Sequence, residues 1–505
     1  MTASPSSLRR STTVLSAATV LSLLGSVVST PVLYGSLTRR EFGTWALVYG
    51  VASTLALFDL GLTAVVIRFS AFHHSRGDLG ALRAVVRWSS RYFLGLSCAV
   101  VLVAVGAHGP LRSALGSDEH PASERVLVLA VVMVCLTLLT LPSRAALTGM
   151  GRFPQIAAVQ VMTTVVVVGG FCVLAAAGAL SLATAFCVCS GAFALQAATQ
   201  VALVRRGTRG AARTATSAEQ RREMRAFGGW MQLNGLSELI NNQTDRFVVA
   251  AVAGVPVVGT YEIANTVART GRLLPGQYLA ALGPEMTSRF SAADDGSMRQ
   301  QYTRSFKVLA CMSLPLVGVL AVCGQPALRL WLGSVPHHAV AVLVLLVLGY
   351  AINNLTGPAS AWVRAVGRPG LETSYGALQT VLNISLTVPA GLWFGLVGVV
   401  AATSIAATVA SLYFLVVFHR ATRVPFAADL AAWLVRLVTV IGLATAAALL
   451  ATQALSPASR TAAAGQAGLG ATAFALVLVL GSLALRVDPL DRVLKQARGR
   501  WARKG

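Results

Sequence analysis

The chain has 505 residues, 55% of them apolar and only 12% charged, with a mean hydropathy of +0.69 and a formal net charge of +23. A soluble domain carries roughly 25% charged residues, so half that density excludes an ordinary water-soluble globule. The excess of positive charge raises nucleic-acid binding as one reading, and the placement of the arginines decides against it.

In chain order, Arg9 and Arg10 precede an apolar run from Val14 to Leu33. The run is too long for a signal-peptide core and lacks a small-residue cleavage site, so it reads as a retained first helix. About 20 apolar residues cross a bilayer as a helix, and no alternating barrel pattern competes with that reading. Spans are expected at 11–36, 42–70, 86–107, 126–147, 154–178, 180–204, 226–253, 257–288, 305–324, 338–363, 371–391, 395–418, 429–452 and 464–485. The fold class is therefore an all-α polytopic membrane protein with about fourteen transmembrane helices.

Basic residues mark the cytoplasmic side of a membrane protein. With the N-terminus inside, inner segments collect thirty Arg and Lys and outer loops six. Seven of the thirty lie at 205–225 and seven in the tail after 485. Both termini are thus expected in the cytoplasm, with the positive charge facing anionic lipid head groups rather than nucleic acid. Seven cysteines all fall in apolar segments without metal-ligand spacing and read as small buried hydrophobes.

Two motifs recur 216 residues apart: Gly43-Thr44-Trp45 with Gly259-Thr260-Tyr261, and Gly151-Arg152 with Gly367-Arg368. The offset maps helices 1–6 onto helices 7–12 in the same orientation, as in parallel-repeat transporters. The expected organisation is an N-terminal lobe at 1–204, a basic linker at 205–225 and a C-terminal lobe at 226–425. Two extra helices follow at 426–485, then a basic tail at 486–505. Two such pseudo-repeated lobes suggest alternating access around a central cavity.

Charges inside spans cost about 2.5–3.5 kcal/mol at a helix centre, so each needs a reason. Helix 2 carries Asp59 near its middle and Arg68 towards its cytoplasmic end. Asn234, Glu238, Asn242 and Asp245 form one stripe on helix 7, with Arg246 beside it. Glu262, Asn265, Arg269 and Arg272 form another on helix 8, where Pro275 and Pro284 can kink the backbone. Arginine keeps its charge and donates paired hydrogen bonds to phosphate. The carboxylates Asp59, Glu238, Asp245 and Glu262 suit either a coupling proton or sodium ion, or structural ion pairs with those arginines. His73-His74 and His337-His338 read as solvated.

The stretch 40–72, with Gly43, Trp45, Asp59-Leu60-Gly61 and Arg68, resembles the second helix of polysaccharide and lipid-linked oligosaccharide flippases. These belong to the multidrug/oligosaccharidyl-lipid/polysaccharide exporter superfamily. Asp245-Arg246-Phe247, Gly259-Thr260-Tyr261, Pro284 and Gly149-Met150-Gly151-Arg152 extend the resemblance, while helices 9–12 resemble the family in topology more than in sequence. The resemblance implies a flippase in a bacterial inner membrane that carries a polyprenyl-diphosphate-linked oligosaccharide outward. Arg269 and Arg272 would then grip the diphosphate, with Arg246, Arg68, Asn242 and Asn265 assisting. A cation-coupled multidrug exporter, a membrane-embedded glycosyltransferase or polymerase, and a transport-inactive scaffold are the alternatives. No P-loop, nucleophile elbow or metal motif appears, so no cofactor and no enzyme activity is expected.

Overall fold

The computed structural model describes residues 5–55, 62–109, 122–210, 244–273, 275–279, 295–366, 370–422, 428–453 and 459–485, with single residues 222, 282, 286, 290, 368 and 487. These are helices joined by short turns, as expected. Among these helices are ten stretches long and apolar enough to cross a membrane, one of them running from Ala339 to Ala365. Their order is α1 (Pro5–Ser36), α2 (Arg39–Leu55), α3 (Leu62–Ser75), α4 (Leu79–Gly106), α5 (Ala122–Gly149), α6 (Phe153–Ala176) and α7 (Leu182–Gly207). A helix at 244–253, here α8, comes next. Then come α9 (Val255–Gly271), α10 (Asp295–Leu332), α11 (Ala339–Asn354), α12 (Gly357–Ala365), α13 (Gly370–Thr422), α14 (Ala428–Thr452) and α15 (Arg460–Ala484).

Local chemistry sets several of these ends. Asp78 accepts a hydrogen bond from the Ala81 amide at 2.9 Å and starts α4, and Ser181 with Thr184 forms a capping box at α7. Ser459 caps α15 by accepting from the Ala462 amide at 3.1 Å. The apolar pattern runs almost unbroken through α13, yet Gly395 sits at φ 58° and ψ −139°, a conformation that side chains resist. It separates two arms that match the expected spans 371–391 and 395–418. The Asn383 amide ties the arms together by donating to Thr403 Oγ1 at 3.1 Å.

The chain divides into two compact units, Met1–Gly259 and Thr260–Gly505. In the first, α1 packs on α6, α5 on α7, and α3 and α4 on α5. The repeat motif has a physical role here. A Cβ at Gly43 would lie 2.1 Å from the Val255 carbonyl oxygen, and one at Gly259 would lie 2.7 Å from the Phe42 ring. The two echoed glycines therefore mark one close crossing, where the start of α2 meets the start of α9.

In the second unit α14 packs on α15, α11 on α13, and α10 on both α11 and α15. Tyr302, Phe306, Trp362, Phe414 and Phe418 fill its core. In each unit large apolar side chains face outward, Leu102 at 72% exposure in the first and Trp393 at 80% in the second. Water would penalise that surface; lipid tails accept it.

One loop reading changes. His73 is buried rather than solvated, 8% exposed, with Nδ1 3.9 Å from Asp78 Oδ2 beyond the end of the second expected span. Burial holds its pKa below the ordinary 6.5 despite the opposing pull of Asp78. The fold of α4 back onto α3 brings the two residues together. His337 and His338 are exposed.

Candidate functional site

Within the second unit, α9 ends at Gly271. The Arg272 amide bonds the Arg269 carbonyl at 3.1 Å, three residues back, and Pro275 offers no amide to continue the ladder. The ladder resumes at once, the Gly276 amide bonding the Arg272 carbonyl at 2.9 Å, and the two arginines on either side of the tightened turn have different surroundings. Arg269 is exposed, whereas the Arg272 guanidinium lies 4.6 Å from the centroid of the Tyr350 ring. Tyr350 in turn donates its hydroxyl to the Oδ1 of Asn265, a buried residue of α9, at 3.2 Å. Tyr350 therefore fixes Arg272 through its ring face and Asn265 through its hydroxyl.

Arg272 lines a half-open cavity of about 480 Å³. The opposite walls come from the end of α11, from α12 and from the start of α13. Asn353, Thr356, Ser360 and Tyr375 supply amide and hydroxyl groups to it. The Asn353 amide donates to the Tyr375 hydroxyl. Arg364 and Glu372 also line the cavity, joined by a two-bond ion pair at 2.7 and 2.6 Å.

The other expected residues lie elsewhere or outside the described residues. Asp245 and Arg246 are both 3% exposed on α8 in the first unit. The Arg246 side chain runs over Gly50 of α2, where an added Cβ would meet its guanidinium at 2.8 Å. Arg68 is exposed in the middle of α3, 5.8 Å from the Phe69 ring centroid, and Glu262 is half-buried on α9. Asp59, Glu238 and Asn242 fall outside the described residues. Of the expected set, the structure joins Arg272 and Asn265 and leaves Arg269 away from the cavity lining.

Sequence reasoning missed Tyr350, Asn353, Tyr375 and the Arg364–Glu372 pair. The available signal was the Asn353-Asn354 doublet closing an apolar run, followed by Arg364 and Glu372 across one short turn. Among the described residues, no group of three His, Cys, Asp or Glu side chains could hold a metal ion.

The arrangement is a multi-pass helical membrane protein with a polar cavity in its second unit that Arg272 lines. Residues 36–341, more than half the chain, match the family described as "Polysaccharide biosynthesis protein". The chain belongs to that polysaccharide biosynthesis family. A candidate O-antigen transporter of Shigella flexneri is 21% identical over 368 residues, covering 72% of this chain and 86% of that protein.

Solved structures show the fold. The lipid II flippase MurJ in an inward closed conformation superposes with a TM-score of 0.68 at 14% identity, covering 93% of this chain and 99% of that one. An inward-facing multidrug resistance MATE family transporter of the MOP superfamily gives a TM-score of 0.66 at 14% identity, covering 80% and 94%. The chain thus shares its fold with these solved structures and is a multi-pass helical membrane protein of the polysaccharide biosynthesis family.

Proposed function

We propose that this protein moves a polyprenyl-diphosphate-linked oligosaccharide from the cytoplasmic to the outer leaflet of a bacterial inner membrane, by alternating access between two six-helix lobes. The observation that carries this reading is Arg272, a guanidinium anchored over Tyr350 at the wall of a polar cavity within apolar helices. A permanent cation there favours an anionic cargo, and its paired donors match phosphate. A multidrug exporter for cationic solutes would need the opposite charge.

The thirty inner basic residues against six outer ones support cytoplasmic termini and contact with anionic lipids. Asp59, Glu238, Asp245 and Glu262 are the candidates for a coupling proton or sodium ion, or for ion pairs that neutralise Arg246 and its neighbours.

The test is translocation in proteoliposomes. Purified protein would face a fluorescent polyprenyl-diphosphate oligosaccharide and, separately, a cationic dye. Movement of the first alone supports the reading. Movement of the dye alone would replace it with the exporter.

A further inference from the structure

We infer that a second, smaller cavity on the far side of α12 binds the head group of an anionic glycerophospholipid from the cytoplasmic leaflet, with Arg299 and Arg368 holding its phosphate. The site is separate from the Arg272 cavity and does not rest on the proposed cargo.

Three segments build this cavity: the start of α10, the end of α12 with the turn after it, and the two ends of α13. The arginine count assigns all three to the cytoplasmic side, and their meeting in one place is what a shared membrane face requires. Trp362, Val363 and Val366 line it, whereas Ser360, Ala361 and Arg364 line the Arg272 cavity. At about 3.6 residues per turn these two sets occupy opposite sides of the α12 helix and its last turn.

The lining combines cations with hydrocarbon. Arg299 and Arg368 are both exposed, and among the described residues no carboxylate lines the cavity. Two guanidinium groups there favour an anion, and their forked donors match the oxygens of a phosphodiester. The Trp362, Val363, Val366 and Leu371 walls suit the glycerol and first methylenes of a lipid rather than a free ion. Trp362 is held by Tyr302 and Phe418, with ring centroids 6.3 and 5.9 Å away, so that wall is preformed. The volume of about 240 Å³ falls below the roughly 300–1,000 Å³ usual for whole small-molecule sites. It fits a head group, with the acyl chains left in the bilayer. Basic pockets between helices at the cytoplasmic face are a known way of holding phospholipid head groups.

The internal repeat shows why Arg368 is available. Its counterpart 216 residues earlier, Arg152, is engaged within the first unit. Arg152 donates to the Leu203 carbonyl at 3.5 Å and covers Gly207, where an added Cβ would meet its guanidinium at 2.8 Å. The residue 216 positions after Gly207 is Arg423, so the second half lacks the bare glycine that seats Arg152. Arg368 lines the cavity instead, its backbone fixed by a 2.8 Å bond from its amide to the Val363 carbonyl. One unit ties its arginine to a helix end, and the other presents it to a ligand.

The experiment counts lipids retained on the full chain in neutral detergent by native mass spectrometry. Dioleoyl phosphatidylglycerol, dioleoyl phosphatidylcholine and inorganic phosphate are the probes. One phosphatidylglycerol is expected to bind more tightly than phosphatidylcholine, and an equal concentration of inorganic phosphate should not displace it. Arg299→Gln and Arg368→Gln should each weaken phosphatidylglycerol by about tenfold or more, the loss of a charge-assisted hydrogen bond. Both arginines are exposed, so these variants should fold as the wild type does, which a melting curve checks. Arg304→Gln, exposed on α10 but outside the lining, and Arg272→Ala, in the other cavity, should leave this binding unchanged. Equal binding of the two lipids, or displacement by inorganic phosphate, overturns the inference. So does an equal loss in Arg304→Gln, which would mean diffuse surface charge, or a loss in Arg272→Ala, which would move the lipid to the other cavity. None of these outcomes bears on whether the protein moves its proposed cargo.

Discussion

Replacing Gly43 with alanine probes the close crossing of α2 and α9. Alanine is the better helix former by about 1 kcal/mol, so on propensity alone the change stabilises. The added Cβ, however, would stand 2.1 Å from the Val255 carbonyl oxygen and 3.1 Å from the Pro256 Cα. Those are backbone atoms, and no side-chain rotation relieves them. Overpacking of this kind costs about 1–3 kcal/mol, and contact with rigid backbone places it at the upper end. The net expectation is a loss of about 2 kcal/mol. Gly259→Ala meets the Phe42 ring at 2.7 Å, which can tilt, so it should cost less. Gly442 in α14 has nothing within 4 Å of a new Cβ and serves as the control, neutral or slightly stabilised. Thermal unfolding of the three purified variants gives the order directly. Equal melting of Gly43→Ala and Gly442→Ala would refute the crossing.

Three other outcomes follow from the packing and the charges. Phe414 is fully buried with its ring centroid 5.2 Å from that of Tyr375, so Phe414→Ala should cost about 3–5 kcal/mol and lower affinity for any cavity ligand; an unchanged melting temperature would contradict this. The Arg364 side chain is 67% exposed, so Arg364→Ala should cost less than about 1 kcal/mol of stability, as a melting curve would show. His73 holds its proton less tightly folded than unfolded. Stability contributed by its neutral form is present above about 6.5 and falls as the pH drops through that value. Hydrogen exchange across the α3–α4 turn should therefore speed up, beyond the intrinsic change, between pH 7.5 and 5.5 (values set by the roughly 6.5 reference pKa). His73→Gln should abolish that excess.

The helices were legible because span length and hydrophobicity are local properties of the chain. Even the break in α13 fell between two expected spans, although only Gly395 marks it. The glycine echo at 43 and 259 was legible as a repeat, but not as a contact, since it depends on two segments meeting. The site was half legible. Arg272 and Asn265 stood out as polar residues in an apolar helix. Arg269 looked equivalent to Arg272 because a regular helix was assumed through Gly271, where the turn actually tightens. Tyr350, Asn353 and Tyr375 are ordinary residues in apolar spans, and their meaning comes from partners as many as 85 residues away. His73 hid for the same reason: its burial is set by the return of α4.

The measurement that tests the account most directly is the flipping rate of single variants in proteoliposomes, using a fluorescent polyprenyl-diphosphate oligosaccharide. Losing a charge-assisted hydrogen bond costs about 1.5–3 kcal/mol, which is roughly ten- to 150-fold. Arg272→Ala should therefore lose at least tenfold in rate while Arg269→Ala, exposed and away from the cavity, keeps most of it. Loss in Arg269→Ala with full activity in Arg272→Ala would contradict the site.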